Sequence, residues 1–110
     1  MKESTEAAAE EDCPPPPRYP GAHARDMLIV NRKGMHARAA AKFVQCVERF
    51  DAKIEVARCG ETVGGDSIMG ILTLGAGLGA TITVSAVGAK AVEALDALDA
   101  LVADRFGEDE

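Results

Sequence analysis

A hydrophobic run, Met27-Leu28-Ile29-Val30, stops at Asn31-Arg32-Lys33-Gly34, and an alanine-rich segment opens at once with Met35-His36-Ala37-Arg38-Ala39-Ala40-Ala41. The run reads as a strand, the glycine as a turn, and the alanines as the start of a helix. This strand–glycine–helix junction restricts the fold more than any other stretch. It sets His36 at or next to the first turn of a helix, with Arg38 two residues further on. The first backbone N–H groups of a helix have no intrahelical partners and carry partial positive charge. An imidazole, a guanidinium and a helix start together form a small phosphate-holding device. Taken alone, the loop reads more simply as a surface histidine or an indifferent cap.

From Ala37 to about Arg49, Ala40, Phe43, Val44 and Val47 fall at helical spacing, while Arg38, Lys42, Gln45 and Glu48 take the opposite side. That is an amphipathic helix with its apolar face inward. A first strand lies within 24–31. Lys53-Ile54-Glu55-Val56-Ala57-Arg58 alternates with period two and, after Cys59-Gly60, returns through Glu61-Thr62-Val63 as a hairpin. Ser67 is a candidate N-cap for a short helix over Ile68–Leu74, ended by Gly75, Gly77 and Gly79. Thr81–Val87 alternates again, with Ile82, Val84 and Ala86 inward. Residues 89–105 form a last helix with a stripe of Ala91, Leu95, Leu98 and Val102, and Gly107 ends it before an acidic tail at 108–110. The order βαββαβα predicts an α+β domain: a four-stranded antiparallel sheet with three helices on one face.

Residues 1–22 differ in kind. They are rich in Glu, Ala and Pro and include four consecutive prolines, 14–17, which predicts a polyproline arm or disorder. The folded domain is expected at 23–107. No apolar run is long enough for a membrane helix, and the start lacks a basic-then-apolar leader pattern, so a cytoplasmic protein without membrane insertion is expected. Cys13, Cys46 and Cys59 show no CxxC or metal spacing and read as unpaired thiols. No metal site is expected.

The net charge of −6 is unevenly spread. Residues 25–60 hold eight lysines and arginines against four acids, whereas 61–110 hold two against nine. An acidic domain this poor in aromatics is no nucleic-acid surface. The basic excess surrounds His36, where it can steer an acidic protein partner and hold phosphate.

Gly34-Met35-His36-Ala37-Arg38 with Ala40-Ala41, followed by Ser67-Ile68-Met69-Gly70-Ile71-Leu72-Thr73-Leu74-Gly75-Ala76, closely resembles the HPr family. HPr is the histidine-containing phosphocarrier of the phosphoenolpyruvate-dependent phosphotransferase system. The resemblance spans roughly Ala24 to Phe106 and implies an open-faced sandwich. It implies that His36 is phosphorylated, through Nδ1, with Arg38 beside the phosphate. It implies Ser67 as a second, regulatory site for an ATP-dependent HPr kinase/phosphorylase. Ile68, Met69 and Leu72, rimmed by Lys42, Gln45 and Arg49, would form the docking face. The partners implied are enzyme I and enzyme IIA-type acceptors, in sugar uptake or a nitrogen-type regulatory branch, with the chain a monomer that needs no cofactor and acts as a relay rather than a stand-alone enzyme. The alternative is a non-catalytic regulatory docking module on the same scaffold. One departure is Ala39, where the family usually has proline; alanine restores an N–H and loosens the helix start.

Overall fold

The computed structural model describes residues 13–16 and 18–110. Strands β1 (His23–Leu28), β2 (Lys53–Arg58), β3 (Glu61–Gly64) and β4 (Thr81–Val87) form one antiparallel sheet in the order β1-β4-β2-β3. Helices α1 (Ala37–Val47), α2 (Ile68–Thr73) and α3 (Ala91–Ala103) are interleaved with the strands, and a 3-10 turn at Arg105–Gly107 follows. This is the expected βαββαβα order.

The register explains the two-layer packing. Met27 lies opposite Ile82, and Val56 opposite both Val84 and Val63, so one face of the sheet carries the aliphatic side chains. Ile82, Val84 and Ala86 are fully buried as the alternation required. Phe43 and Val47 of α1, Ile71 of α2, and Leu95, Leu98 and Val102 of α3 close over them. Arg25 of β1 reaches Asp96 at 2.8 Å and Asp99 at 3.3 Å, clamping α3 to the edge of the sheet.

Several boundaries move. The first strand begins at His23 and ends at Leu28, although Ile29 continues the pairing by bonding Ala80 at 2.9 Å and Gly79 at 2.8 Å. Helix α1 stops at Val47 rather than near Arg49, and α3 runs from Ala91 to Ala103 rather than over 89–105. The helix end after Ala103 is set by tertiary packing: Phe106 turns into the core, and Arg105 and Phe106 adopt left-handed backbone to deliver it.

The cysteine reading is corrected. Cys13 and Cys59 are joined by a disulfide, and Cys46 alone is a free, buried thiol. The arm expected at 1–22 falls partly on residues 1–12 and 17, which lie outside the described residues. Its remainder lies over the helix-free face of the sheet, where Ala57 and Ser85 are each only 8 % exposed. No helix among the described residues is long and apolar enough to cross a membrane.

Candidate functional site

His36 is the N-cap of α1, with extended backbone (φ −80°, ψ −179°) and a carbonyl that accepts the Ala40 N–H at 2.8 Å. Its side chain makes no capping bond, so the first-turn amides of Ala37, Arg38 and Ala39 are left without a side-chain acceptor. The loop before it is a tight turn: Gly34 donates to the Asn31 carbonyl at 3.1 Å, and Asn31 Nδ2 donates to the Gly34 carbonyl at 2.8 Å. Met35 N–H then donates to the Ala76 carbonyl at 2.8 Å, fastening the histidine loop to the segment between α2 and β4.

The acidic tail does not trail away. Phe106 is buried, Lys42 Nζ donates to its carbonyl at 2.6 Å, and three successive left-handed residues, Arg105, Phe106 and Gly107, reverse the chain. Glu108 is thereby brought onto the histidine. One carboxylate oxygen pairs with His36 Nε2 and the other accepts from Asn31 Nδ2 at 3.0 Å. Glu110 pairs with the Arg32 guanidinium at 2.9 Å, and its carbonyl accepts the Arg32 N–H. The result is a groove walled by Arg32, Lys33, His36, Ala37 and Arg38 on one side and Glu108, Asp109 and Glu110 on the other.

Pairing Nε2 with a carboxylate has a chemical consequence. A neutral imidazole that donates from Nε2 carries its lone pair on Nδ1, and Nδ1 makes no hydrogen bond among the described residues. Arg38 is exposed and makes no hydrogen bond or ion pair among the described residues, so its guanidinium is available to an incoming anion.

The hydrogen bond from His36, then that from Asn31, holds the Glu108 carboxyl below the usual carboxylate range, and Lys33 adds to the effect. A carboxylate whose pKa is lowered by its partners keeps those contacts above the ordinary value and loses them as pH falls through the lowered one. Glu108 is therefore expected to titrate below the ordinary glutamate value in a carbon-detected NMR titration. In His36→Ala its midpoint should rise toward that ordinary value; an unchanged midpoint would show that the ring is not its partner.

The other predicted site residues separate into groups. Ser67 caps α2 as expected, its Oγ accepting the Gly70 N–H at 3.0 Å. Ile68 and Met69 are exposed, Met69 by 70 %, while Leu72 is partly buried against the core. Lys42, Gln45 and Arg49 instead line a groove whose far wall is Ala97, Ala100, Leu101 and Asp104 of α3. Asn31 and Glu108 were missed by the sequence reading. The charge imbalance between the two halves of the chain was the one signal that pointed toward the tail.

A family model described as the PTS HPr component phosphorylation site matches residues 23–104. The chain is 46% identical to the phosphocarrier protein HPr of Cupriavidus necator over 86 residues, which is 78% of this chain and 97% of that protein. The structure superposes on an HPr from Thermoanaerobacter tengcongensis with a TM-score of 0.77 at 39% identity, covering 80% of this chain and 99% of the other. A second structure from that organism, titled an HPr dimer, gives 0.64 at 41% identity over 74% of this chain and 94% of the other.

Proposed function

The chain belongs to the HPr family of phosphotransferase-system phosphocarriers, and on that premise we propose that His36 accepts a phosphoryl group from phospho-enzyme I and yields it to an enzyme IIA-type acceptor. Nδ1 attacks phosphorus through its lone pair as the bond from phosphorus to the donor nitrogen breaks. The product is a phosphoramidate on His36. Glu108 holds the Nε2 proton and keeps the ring in the attacking tautomer. The amides of Ala37, Arg38 and Ala39, with the Arg38 side chain, receive the charge of the phosphoryl oxygens. The observation that carries this reading is the histidine at an uncapped helix start with Nε2 already occupied and Nδ1 unbonded.

Incubating the chain with phosphoenolpyruvate and enzyme I is expected to add one acid-labile phosphate that maps to the peptide containing His36. No label, with enzyme I shown to be active, would favour the non-catalytic docking module. Ser67 is proposed as a second acceptor, acted on by an HPr kinase. Its phosphate would sit at the start of α2 beside Asp66, altering the charge of the surface that Ile68 and Met69 present to partners. An acid-stable phosphate formed from ATP and the kinase, and absent in Ser67→Ala, is the expected result. Leu72 contributes to that docking surface from below, while Lys42, Gln45 and Arg49 would meet partners along the groove beside α3. The relay is proposed to act as a monomer in the cytoplasm.

A further inference from the structure

We propose that Cys13 and Cys59 are a thiol–disulfide switch that straps the proline arm over the helix-free face of the sheet when oxidised and frees it when reduced. The two residues are 46 apart in sequence, and their Cα atoms lie 4.5 Å apart, within the range that a disulfide spans. Cys59 occupies the β2–β3 turn, and Pro14 packs beside its neighbour Gly60. Further along, Tyr19 shares a cleft with Glu55 and Lys53 of the central strand β2 and with Ser85 and Val87 of β4. These side chains alternate with Ile54, Val84 and Ala86, which point to the helices, so the arm lies on the other face.

None of the described residues among 13–20 is in a strand, so these residues add no hydrogen-bonded ladder to the sheet, and the disulfide is their covalent cross-link to it. The covalent bond supplies the attachment that a ladder would otherwise give. The remaining cysteine does not compete for pairing: Cys46 is buried, and burial pushes its thiol pKa up.

The chemistry needs one reactant class, a low-molecular-weight disulfide. One cysteine thiolate attacks it, forming a mixed disulfide and releasing one thiolate. The second cysteine thiolate attacks the mixed disulfide, forming the Cys13–Cys59 bond and releasing the other thiolate. Two electrons pass from the protein thiols to the small disulfide, and their two protons go to the released thiolates or to solvent. A dithiol reverses both exchanges.

Tyr19 is the only tyrosine and there is no tryptophan, so the ultraviolet titration of the phenol reports on the arm alone. With the strap closed, the Glu55 carboxylate beside it holds the phenol above its ordinary pKa. The full chain should be compared after oxidised glutathione and after dithiothreitol. The oxidised form should be two hydrogens lighter, with tryptic peptides 3–18 and 59–90 linked. Its phenol should titrate above the ordinary value, returning to it in the reduced form and in Cys13→Ser. Glu55→Gln should lower the midpoint even in the oxidised chain, which ties the signal to the sheet. Two alkylatable thiols persisting after oxidised glutathione, or a phenol midpoint equal in both redox states, would overturn the proposal.

Discussion

His36→Ala is expected to reduce acid-labile phosphate uptake from phosphoenolpyruvate and enzyme I to background, while His23→Ala leaves it unchanged. The chain has two histidines, and their settings differ. His23 opens β1, exposed and paired in the ladder with Ala86, with no helix start beside it. His36 sits at the mouth of α1 among Arg32, Lys33 and Arg38. Alanine there removes the only imidazole in that groove but costs the fold little. The imidazole makes no capping bond that alanine would forfeit, and the partly exposed pair with Glu108 is worth at most about 1 kcal/mol. A thermal melt within a few degrees of the unmodified protein would therefore accompany complete loss of label. Arg38→Ala should be milder, slowing transfer by about 10- to 100-fold, the worth of one charged hydrogen bond to the phosphoryl oxygens. Residual acid-labile phosphate in His36→Ala at the unmodified rate would end the carrier reading.

What could be read in advance was local. The β4 bounds and the inward set Ile82, Val84 and Ala86 follow from alternation over seven residues, and the Ser67 cap follows from one side chain and the three amides after it. The placement of His36 came from a turn and a helix within six residues. The contacts that complete the groove are of another kind. Glu108 lies 72 residues from His36, and Cys13 lies 46 from Cys59. No periodicity encodes such pairs, because they exist only once the sheet has brought distant segments together. Asn31 illustrates the limit: its side chain satisfies the Gly34 carbonyl locally, which a turn-forming Asn suggests, yet its second acceptor arrives from the chain terminus. The left-handed backbone at Arg105 and Phe106 was equally illegible, since long-range contacts stabilise it: the burial of Phe106 and the Lys42 bond to its carbonyl.

The histidine loop also rests on a glycine whose replacement should be among the most damaging single changes in the chain. Gly34 has φ +69°, where an L side chain costs about 1–2 kcal/mol. A Cβ there would lie 2.7 Å from the Gly77 Cα and 2.8 Å from the Ala76 carbonyl oxygen. Both are backbone atoms, so relief requires the two loops to separate, at a further cost of about 1–3 kcal/mol by analogy with overpacked cores. The separation would pull on the bond between Met35 N–H and the same Ala76 carbonyl, which is what sets the register of His36. Gly34→Ala is therefore expected to lose about 2–5 kcal/mol and to lower the melting temperature by about 10–30 °C for a domain of this size. Gly75→Ala supplies the comparison. Its φ of +64° is nearly the same, but nothing lies within 4 Å of the added Cβ, so it should lose only the backbone cost of about 1–2 kcal/mol. The difference between the two variants isolates the close approach of the loops, and it should carry over to function. At a temperature where both chains remain folded, Gly34→Ala should take up phosphate more slowly than Gly75→Ala, because only the former moves the histidine from its helix start. Equal melting temperatures and equal rates would mean that the contact between Gly34 and the Ala76–Gly77 segment does not hold His36 in place.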